Sequence, residues 1–209
     1  MASLRAVIFD IGGVLTSSPV TAIRDYVLAE GADYSVLGPL LAAPESAWSR
    51  WERSEIDTVR FIEEFEAEAD DAGVTISGRG VIGAAFGSQR VREEMVGVVR
   101  HLKGRVALGC ITNNVVRDDG ETRPGALDLH SLFEVVVESA KVGMRKPDPR
   151  IYQLACEHLR VAPPEAAFLD DLGANLKGAR ALGMTTIKVD HTASAIDELE
   201  RALGLVLPR

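Results

Sequence analysis

The sequence predicts an α/β protein in which a parallel β-sheet, flanked by helices, is interrupted by a helical insertion. Residues 6–9 are an apolar segment of β-formers before a glycine pair, which is typical of a buried parallel strand and its following loop. From residue 105 onward, strand-like and helix-like segments alternate, and such alternation indicates parallel strands joined by right-handed crossovers. Between these parts, residues 17–88 show helical periodicity without an intervening strand.

The segment 17–88 is therefore expected to be an α-helical insertion. Apolar residues recur there at the spacing of amphipathic helices, and the set is Val20, Ile23, Val27, Leu28, Phe61, Ile62, Phe65 and Ala69. The second half of this set lies in an acidic helix predicted at 58–71. Four glycines then predict a loosened chain before a further helix at 91–102, namely Gly78, Gly80, Gly83 and Gly87.

The remaining elements follow from apolar, β-branched segments and from helical spacing. Strands are predicted at 106–111, 135–137, 167–169 and 185–189, and helices at 148–159, 175–182 and 193–203. Gly183 predicts a left-handed cap after the middle helix. Because the first strand must rejoin this sheet, residues 1–16 and 89–209 are expected to form one doubly wound, Rossmann-like core domain, with 17–88 inserted into it.

Composition excludes several kinds of partner. The 209 residues carry a formal net charge of -8, which argues against sequence-independent nucleic-acid binding. No stretch approaches the roughly 20 apolar residues of a membrane span, and no signal-peptide pattern is present, so a cytoplasmic protein is expected. Cys110 and Cys156 lie in apolar segments and are interpreted as buried thiols in a reducing compartment.

Polar side chains stand where the predicted strands end. Asp10 follows the first strand, Thr112 the second, and Asp170 with Asp171 a third, while Lys146 lies in a turn-forming Arg-Lys-Pro segment. Because the carboxyl ends of parallel strands open onto one crevice, these groups are expected to converge. The three carboxylates would repel one another without a cation, so the sequence predicts a Mg²⁺ site that also receives a phosphoryl group.

Each of these groups also has a simpler interpretation. Asp170 and Asp171 could cap a helix N-terminus, Thr112 with Asn113 could form an ordinary strand-to-loop turn, and Lys146 could be a solvated loop lysine. In the active-site interpretation, an aspartate such as Asp10 can form an acyl phosphate that water hydrolyses. Thr112 and the backbone at Asn113 would donate to a phosphoryl oxygen, and Lys146 would supply positive charge.

On these residues the chain resembles the haloacid dehalogenase superfamily. The segments 9–15, 111–114, 146–147 and 170–171 resemble its four motifs in order. The longer segments 138–152 and 168–177 are similar to the N-terminal phosphatase domains of soluble epoxide hydrolases and their free-standing bacterial relatives. The resemblance implies a hydrolase of a small phosphorylated metabolite, present as a monomer or homodimer, whose helical insertion is a mobile cap over the site.

The resemblance also implies a role for individual residues around the metal. Asp10 corresponds to the nucleophile and a Mg²⁺ ligand, Asp171 to a second carboxylate ligand, and the backbone carbonyl of Gly12 to a third. Asp170 and Asn175 correspond to outer residues that order the metal site.

The phosphate-binding groups follow from the same resemblance. Thr112 and Asn113 correspond to the phosphate-binding turn, and Lys146 to the stabilising amine. Thr112 and Lys146 thus join Asp10 as implied catalytic residues.

Gly12 departs from the family pattern, in which an aspartate at this position protonates the leaving group. General acid–base assistance is typically worth about 10² to 10⁴-fold in rate. Gly12 therefore keeps one alternative open, a catalytically weakened relative that binds a phosphorylated ligand. A second alternative, a metal-independent dehalogenase of the same fold, also stays open. His130, in the loop 118–130, is interpreted as a surface residue, and Trp48 with Trp51 as packing residues of the insertion.

Overall fold

The computed structural model describes residues 3–87, 89–116 and 127–209. Its strands are β1 (Ala6–Phe9), β2 (Ala107–Thr112), β3 (Val135–Glu138), β4 (Ala166–Asp170) and β5 (Thr185–Lys188). They form one sheet in the order β3-β2-β1-β4-β5, and every adjacent pair is parallel. The predicted α/β fold class, with a Rossmann-like parallel sheet and flanking helices, is confirmed.

Eleven α-helices are present in the described part of the chain. The first five follow β1 within residues 17–88: α1 (Pro19–Ala29), α2 (Tyr34–Ala42), α3 (Ala47–Glu52), α4 (Thr58–Asp71) and α5 (Gly78–Gly87). The others are α6 (Glu93–Leu102), α7 (Leu129–Leu132), α8 (Ser139–Val142), α9 (Pro149–His158), α10 (Gly173–Ala181) and α11 (Thr192–Leu203). The division of the chain into domains at 16 and 88 stays a prediction.

Both faces of the sheet are buried, as β1 demonstrates. Val7 and Phe9 pack into a cluster that includes buried residues of α6 and α11. Ala6 and Ile8 point the other way, into a cluster that includes buried residues of α9 and α10. Because successive side chains of a strand alternate between faces, a continuously apolar strand requires cover on both sides, and the crossover helices provide it.

The five helices after β1 have a separate apolar core. Trp51 and Phe61 stack with ring centroids 4.2 Å apart, and Phe61 stacks on Phe65 at 5.4 Å. Trp48 meets Trp51 edge to face at 5.7 Å. The interpretation of both tryptophans as packing residues agrees with these contacts.

Two expectations about these helices are wrong. The glycine-rich segment, expected to be a loosened chain, is helix α5. Glycine allows α5 to pack closely against α1, since a Cβ at Gly80 would lie 1.9 Å from the hydroxyl oxygen of Tyr26 on α1. Leu28 was expected on the buried face of α1 but is 57% exposed, whereas Ile23 and Val27 are buried. The predicted left-handed conformation of Gly183 is confirmed by its φ of 86°.

Two further expectations concern the membrane and the cysteines. Among the described residues, no helix combines the length and apolar character that a bilayer crossing requires. Cys110 and Cys156 are buried free thiols, as predicted. The cytoplasmic location and the oligomeric state stay predictions.

Candidate active site

Three carboxylates meet at the carboxyl edge of the sheet. Asp10 directly follows β1, Asp170 is the last residue of β4, and Asp171 comes next. Since β1 and β4 are adjacent and in register, with Phe9 opposite Leu169, their ends deliver these side chains to one place. One oxygen of each carboxylate lies within 4.8 Å of the others, so they could hold one cation together.

Lys146 lies inside this cluster and is only 1% exposed. Its Nζ is 2.7 Å from Oδ1 of Asp10 and 2.9 Å from Oδ2 of Asp170, and it donates to the backbone carbonyl of Ile111 at 3.0 Å. The solvated-lysine alternative is therefore wrong. Asn113 positions the loop, because its Oδ1 accepts from the Lys146 amide at 2.9 Å and its Nδ2 donates to the Lys146 carbonyl at 3.1 Å.

Burial and charge perturb the titration of this cluster. Burial raises the pKa of Asp10, and Asp170 adds to the rise while Lys146 opposes it. Burial raises the pKa of Asp171 as well. Burial alone would lower the pKa of Lys146, but the charges of Asp10 and Asp170 outweigh it and raise that pKa, so the amine is cationic at neutral pH.

Asp171 and Asp170 are held by different partners. Oδ2 of Asp171 accepts a hydrogen bond from Ser18 at 2.7 Å, whereas Asp170 accepts from Asn175 Nδ2 at 3.0 Å and, through Oδ1, from the Leu172 amide at 2.7 Å. Helix α10 has Leu172 as its N-cap. The alternative that either aspartate caps this helix is therefore wrong.

The loop after β1 needs glycine at two positions for different reasons. Gly13 has a φ of 80°, and a Cβ there would lie 2.1 Å from a carboxylate oxygen of Asp171, so a side chain would collide with the site. A Cβ at Gly12 would lie 2.7 Å from Cδ of Pro19. Pro19, the first residue of α1, fills the space that an acidic side chain at position 12 would enter.

These groups line a cavity of about 560 Å³ between the sheet edge and the helices after β1. Asp10, Gly12, Thr112, Asn113, Lys146, Asp171 and Asn175 form its polar end. Helices α1, α2, α3 and α5 contribute a largely apolar wall that includes Val20, Ile23, Leu41, Trp48 and Phe86. All predicted site residues except Asp170 reach the cavity, and Asp170 is fully buried behind it.

A buried ion pair on the cavity wall escaped the sequence analysis. Oε2 of Glu52, the last residue of α3, is 2.7 Å from Nε of Arg145, and both residues line the cavity. Arg145 also donates to Ser49 Oγ, and Ser139 Oγ donates to the Glu52 backbone carbonyl at 2.7 Å. No motif marks Glu52, and the sequence analysis does not predict α3, so the orientation of the Glu52 side chain could not be inferred. The one sequence signal for this pair was Arg145, because it lies next to Lys146.

One expected loop is only partly described. Residues 118–126 of the predicted loop 118–130 lie outside the described residues. His130 is exposed on α7, as predicted.

The fold and the site define an α/β enzyme with a carboxylate–lysine centre at the edge of its sheet. A family model for haloacid dehalogenase-like hydrolases matches residues 4–183. The chain therefore belongs to the haloacid dehalogenase-like hydrolase family, as the resemblance implied, and is a hydrolase.

Several curated relatives match nearly the whole chain. Acyl-CoA dehydrogenase family member 10 of Mus musculus is 38% identical over 98% of the chain, and bifunctional epoxide hydrolase 2 of Sus scrofa is 31% identical over 98%. The chain spans only 20% and 40% of the lengths of these two proteins. A phosphatase of Mycobacterium tuberculosis is 29% identical, with 98% of this chain and 97% of that protein covered.

Solved structures agree with the fold. A predicted HAD-like family hydrolase from Porphyromonas gingivalis superposes with a TM-score of 0.69 and 25% identity, over 97% of this chain and 98% of that one. A HAD family enzyme from Bacteroides thetaiotaomicron, crystallised with magnesium and inorganic phosphate, gives a TM-score of 0.60 at 17% identity, over 89% and 94%.

Proposed function

We propose that this hydrolase is a Mg²⁺-dependent phosphatase that acts on a small phosphorylated compound through an aspartyl-phosphate intermediate. The observation that carries the proposal is the cluster of Asp10, Asp170 and Asp171 around the buried amine of Lys146. Three carboxylates with one amine leave an excess of negative charge, which suits a divalent cation and its phosphate partner. The full-length phosphatase relative of Mycobacterium tuberculosis supports the same activity.

The donor set suits magnesium. Asp10, Asp171 and the backbone carbonyl of Gly12 would hold the ion, and all three are hard oxygen donors. Asp170 and Asn175 would order the site from behind, through the hydrogen bonds that join them. When bound, the ion supplies charge neutralisation that lets an anionic phosphoryl group approach a carboxylate.

The chain's own groups perform the proposed chemistry. Lys146 and the Ile11 amide, 2.7 Å away, both contact Oδ1 of Asp10, so the proposal assigns nucleophilic attack on phosphorus to Oδ2. Thr112 and the backbone at Asn113 would donate to phosphoryl oxygens. Lys146 would stabilise the negative charge that develops on them.

The cavity wall suggests the character of the leaving group. Helices α1, α2, α3 and α5 present mainly apolar side chains to the cavity, and such a wall favours an apolar group over a heavily hydroxylated one. We propose that these helices, within 17–88, act as a cap that excludes water and selects the leaving group.

Gly12 supports a second candidate, a catalytically weakened relative that binds a phosphorylated ligand. Pro19 fills the space where the usual acid would stand, and loss of that acid would slow turnover. A metal-independent dehalogenase is less well supported, because its chemistry does not need the metal-suited carboxylates Asp170 and Asp171.

A phosphate-ester screen with and without Mg²⁺ tests the proposal. We expect hydrolysis that chelation abolishes and that Asp10→Asn eliminates while the protein stays folded, because an amide is a poor nucleophile. Soaking with Mg²⁺ and BeF₃⁻ should give an adduct on Asp10. Full activity on these esters in excess chelator would refute the Mg²⁺ dependence, and inactivity of the folded wild-type protein on all esters would favour the ligand-binding relative or the dehalogenase.

A further inference from the structure

The Gly12–Pro19 contact raises the question of which group protonates the leaving oxygen. Among the described residues, three carboxyl groups line the cavity: Asp10, Asp171 and Glu52. The proposed function assigns the first two to the nucleophile and the metal. Glu52 is the carboxyl that remains, and it lies on the helices that would surround the leaving group.

We propose that Glu52 is the general acid and base of this site, in place of the aspartate that position 12 lacks. This inference rests on the proposed phosphatase function and deepens it. It assigns a catalytic role to a residue of α3, outside the four motifs that carry the family resemblance.

The surroundings of Glu52 suit a group that must both donate and accept a proton. The residue is 6% exposed, and burial disfavours its charged form and raises its pKa, while Arg145 opposes that rise. The Arg145 contact at Oε2 also stabilises the carboxylate that exists after proton donation. Ser139 Oγ donates to the Glu52 backbone carbonyl, which holds the end of α3 in place.

Several other charged groups near α3 already have hydrogen-bond or ion-pair partners. The Lys146 charge also acts on Glu52, but this amine is bound between Asp10 and Asp170. Several charged groups on the elements that pack against α3, or next to Glu52, have their own partners: Arg53 with Glu55, Lys141 with Glu138, Glu64 with Arg50, and Glu68 with the Ala47 amide.

The two proton transfers balance over one turnover. In the first step, Asp10 Oδ2 bonds to phosphorus, the bond from phosphorus to the leaving oxygen breaks, and the Glu52 proton moves to that oxygen. In the second step, the Glu52 carboxylate takes a proton from the attacking water, the water oxygen bonds to phosphorus, the bond from phosphorus to Asp10 breaks, and phosphate leaves. Glu52 ends protonated, as it began.

Two substrates separate this role from a structural one. With Mg²⁺ present, kcat/KM is measured for hexyl phosphate, whose alkoxide leaves poorly, and for p-nitrophenyl phosphate, whose phenolate leaves without protonation. Glu52→Gln should lower kcat/KM for the alkyl ester by about 10² to 10⁴-fold and leave the aryl ester within a few-fold. Glu68→Gln, which removes a partly buried carboxylate of α4 away from the cavity, is the matched control and should change neither value.

Further variants keep the test informative. If Glu52→Gln does not fold, Glu52→Asp, which keeps a carboxyl group, is compared instead and should lower the alkyl value selectively, because the shorter side chain misplaces the proton. In the Glu52→Gln background, Gly12→Asp combined with Pro19→Ala should restore activity on the alkyl ester. Equal losses on both esters, or no loss on either, would overturn the role proposed for Glu52 and leave the phosphatase proposal standing. Absence of hydrolysis by the wild-type protein would overturn the phosphatase proposal and this role with it.

Discussion

Replacement of Lys146 by methionine tests the electrostatics of the site directly. Lys146→Met keeps a side chain of similar length but removes the cation that contacts Asp10 at 2.7 Å and Asp170 at 2.9 Å. Both carboxylates are buried, so they lose their counterion where water cannot replace it. Breaking a buried ion pair by removing one partner costs about 3–5 kcal/mol of unfolding free energy.

The assay is urea unfolding in the presence of chelator at neutral pH. For a chain of this size, the same loss of unfolding free energy would lower Tm in a thermal melt by roughly 6–20 °C, at about 2–4 °C per kcal/mol. Lys188→Met is the matched control: its Nζ lies 2.8 Å from Asp190, but both side chains are more than half exposed, so its loss should stay below about 1 kcal/mol. Equal, small losses in both variants would refute the inference that Lys146 neutralises the buried carboxylates.

Three further predictions concern the metal site, the loop after β1 and the cysteines. Mg²⁺ at 100 times its Kd should stabilise the wild-type protein by about 2.7 kcal/mol, and Asp171→Asn should need much more Mg²⁺ for the same thermal shift; equal curves would exclude Asp171 as a ligand. Gly12→Asp alone should lower stability in urea by about 1–3 kcal/mol because its Cβ collides with Pro19, and adding Pro19→Ala should recover the loss. Burial raises the pKa of Cys110, and that of Cys156 to about 11, so neither thiol should react with iodoacetamide at neutral pH until urea unfolds the chain; rapid labelling of the folded protein would contradict this.

The motif residues could be predicted because strand ends have a local signature. An apolar segment followed by a carboxylate or hydroxyl marked Asp10, Thr112 and Asp170, and the topology of a parallel sheet brought them together without knowledge of any loop. Lys146 was predicted only from its order and context among the other groups, because a lysine before proline has no local feature that distinguishes a buried amine from a solvated one.

The helices after β1 could be predicted only as helical. Their glycines looked like helix breakers because glycine in a helix carries a local cost of about 1 kcal/mol. The benefit at Gly80 is the close approach of α1 and α5, which is a tertiary contact and therefore not visible in the sequence. Glu52 was missed for the same reason: its pairing with Arg145 joins residues far apart in the sequence and depends on how α3 packs against the core.

The balance of charge at the sheet edge explains why this cluster is better understood as a site than as part of the core. Three carboxylates and one lysine leave a formal excess of two negative charges when all are ionised. Buried charges that serve only stability are usually paired, because an unpaired one is costly. The chain instead keeps Asp171 within 4.8 Å of the other carboxylates and uses a glycine at position 13 to make room for it. A purely structural core would not retain this excess of two negative charges, which one divalent cation would cancel.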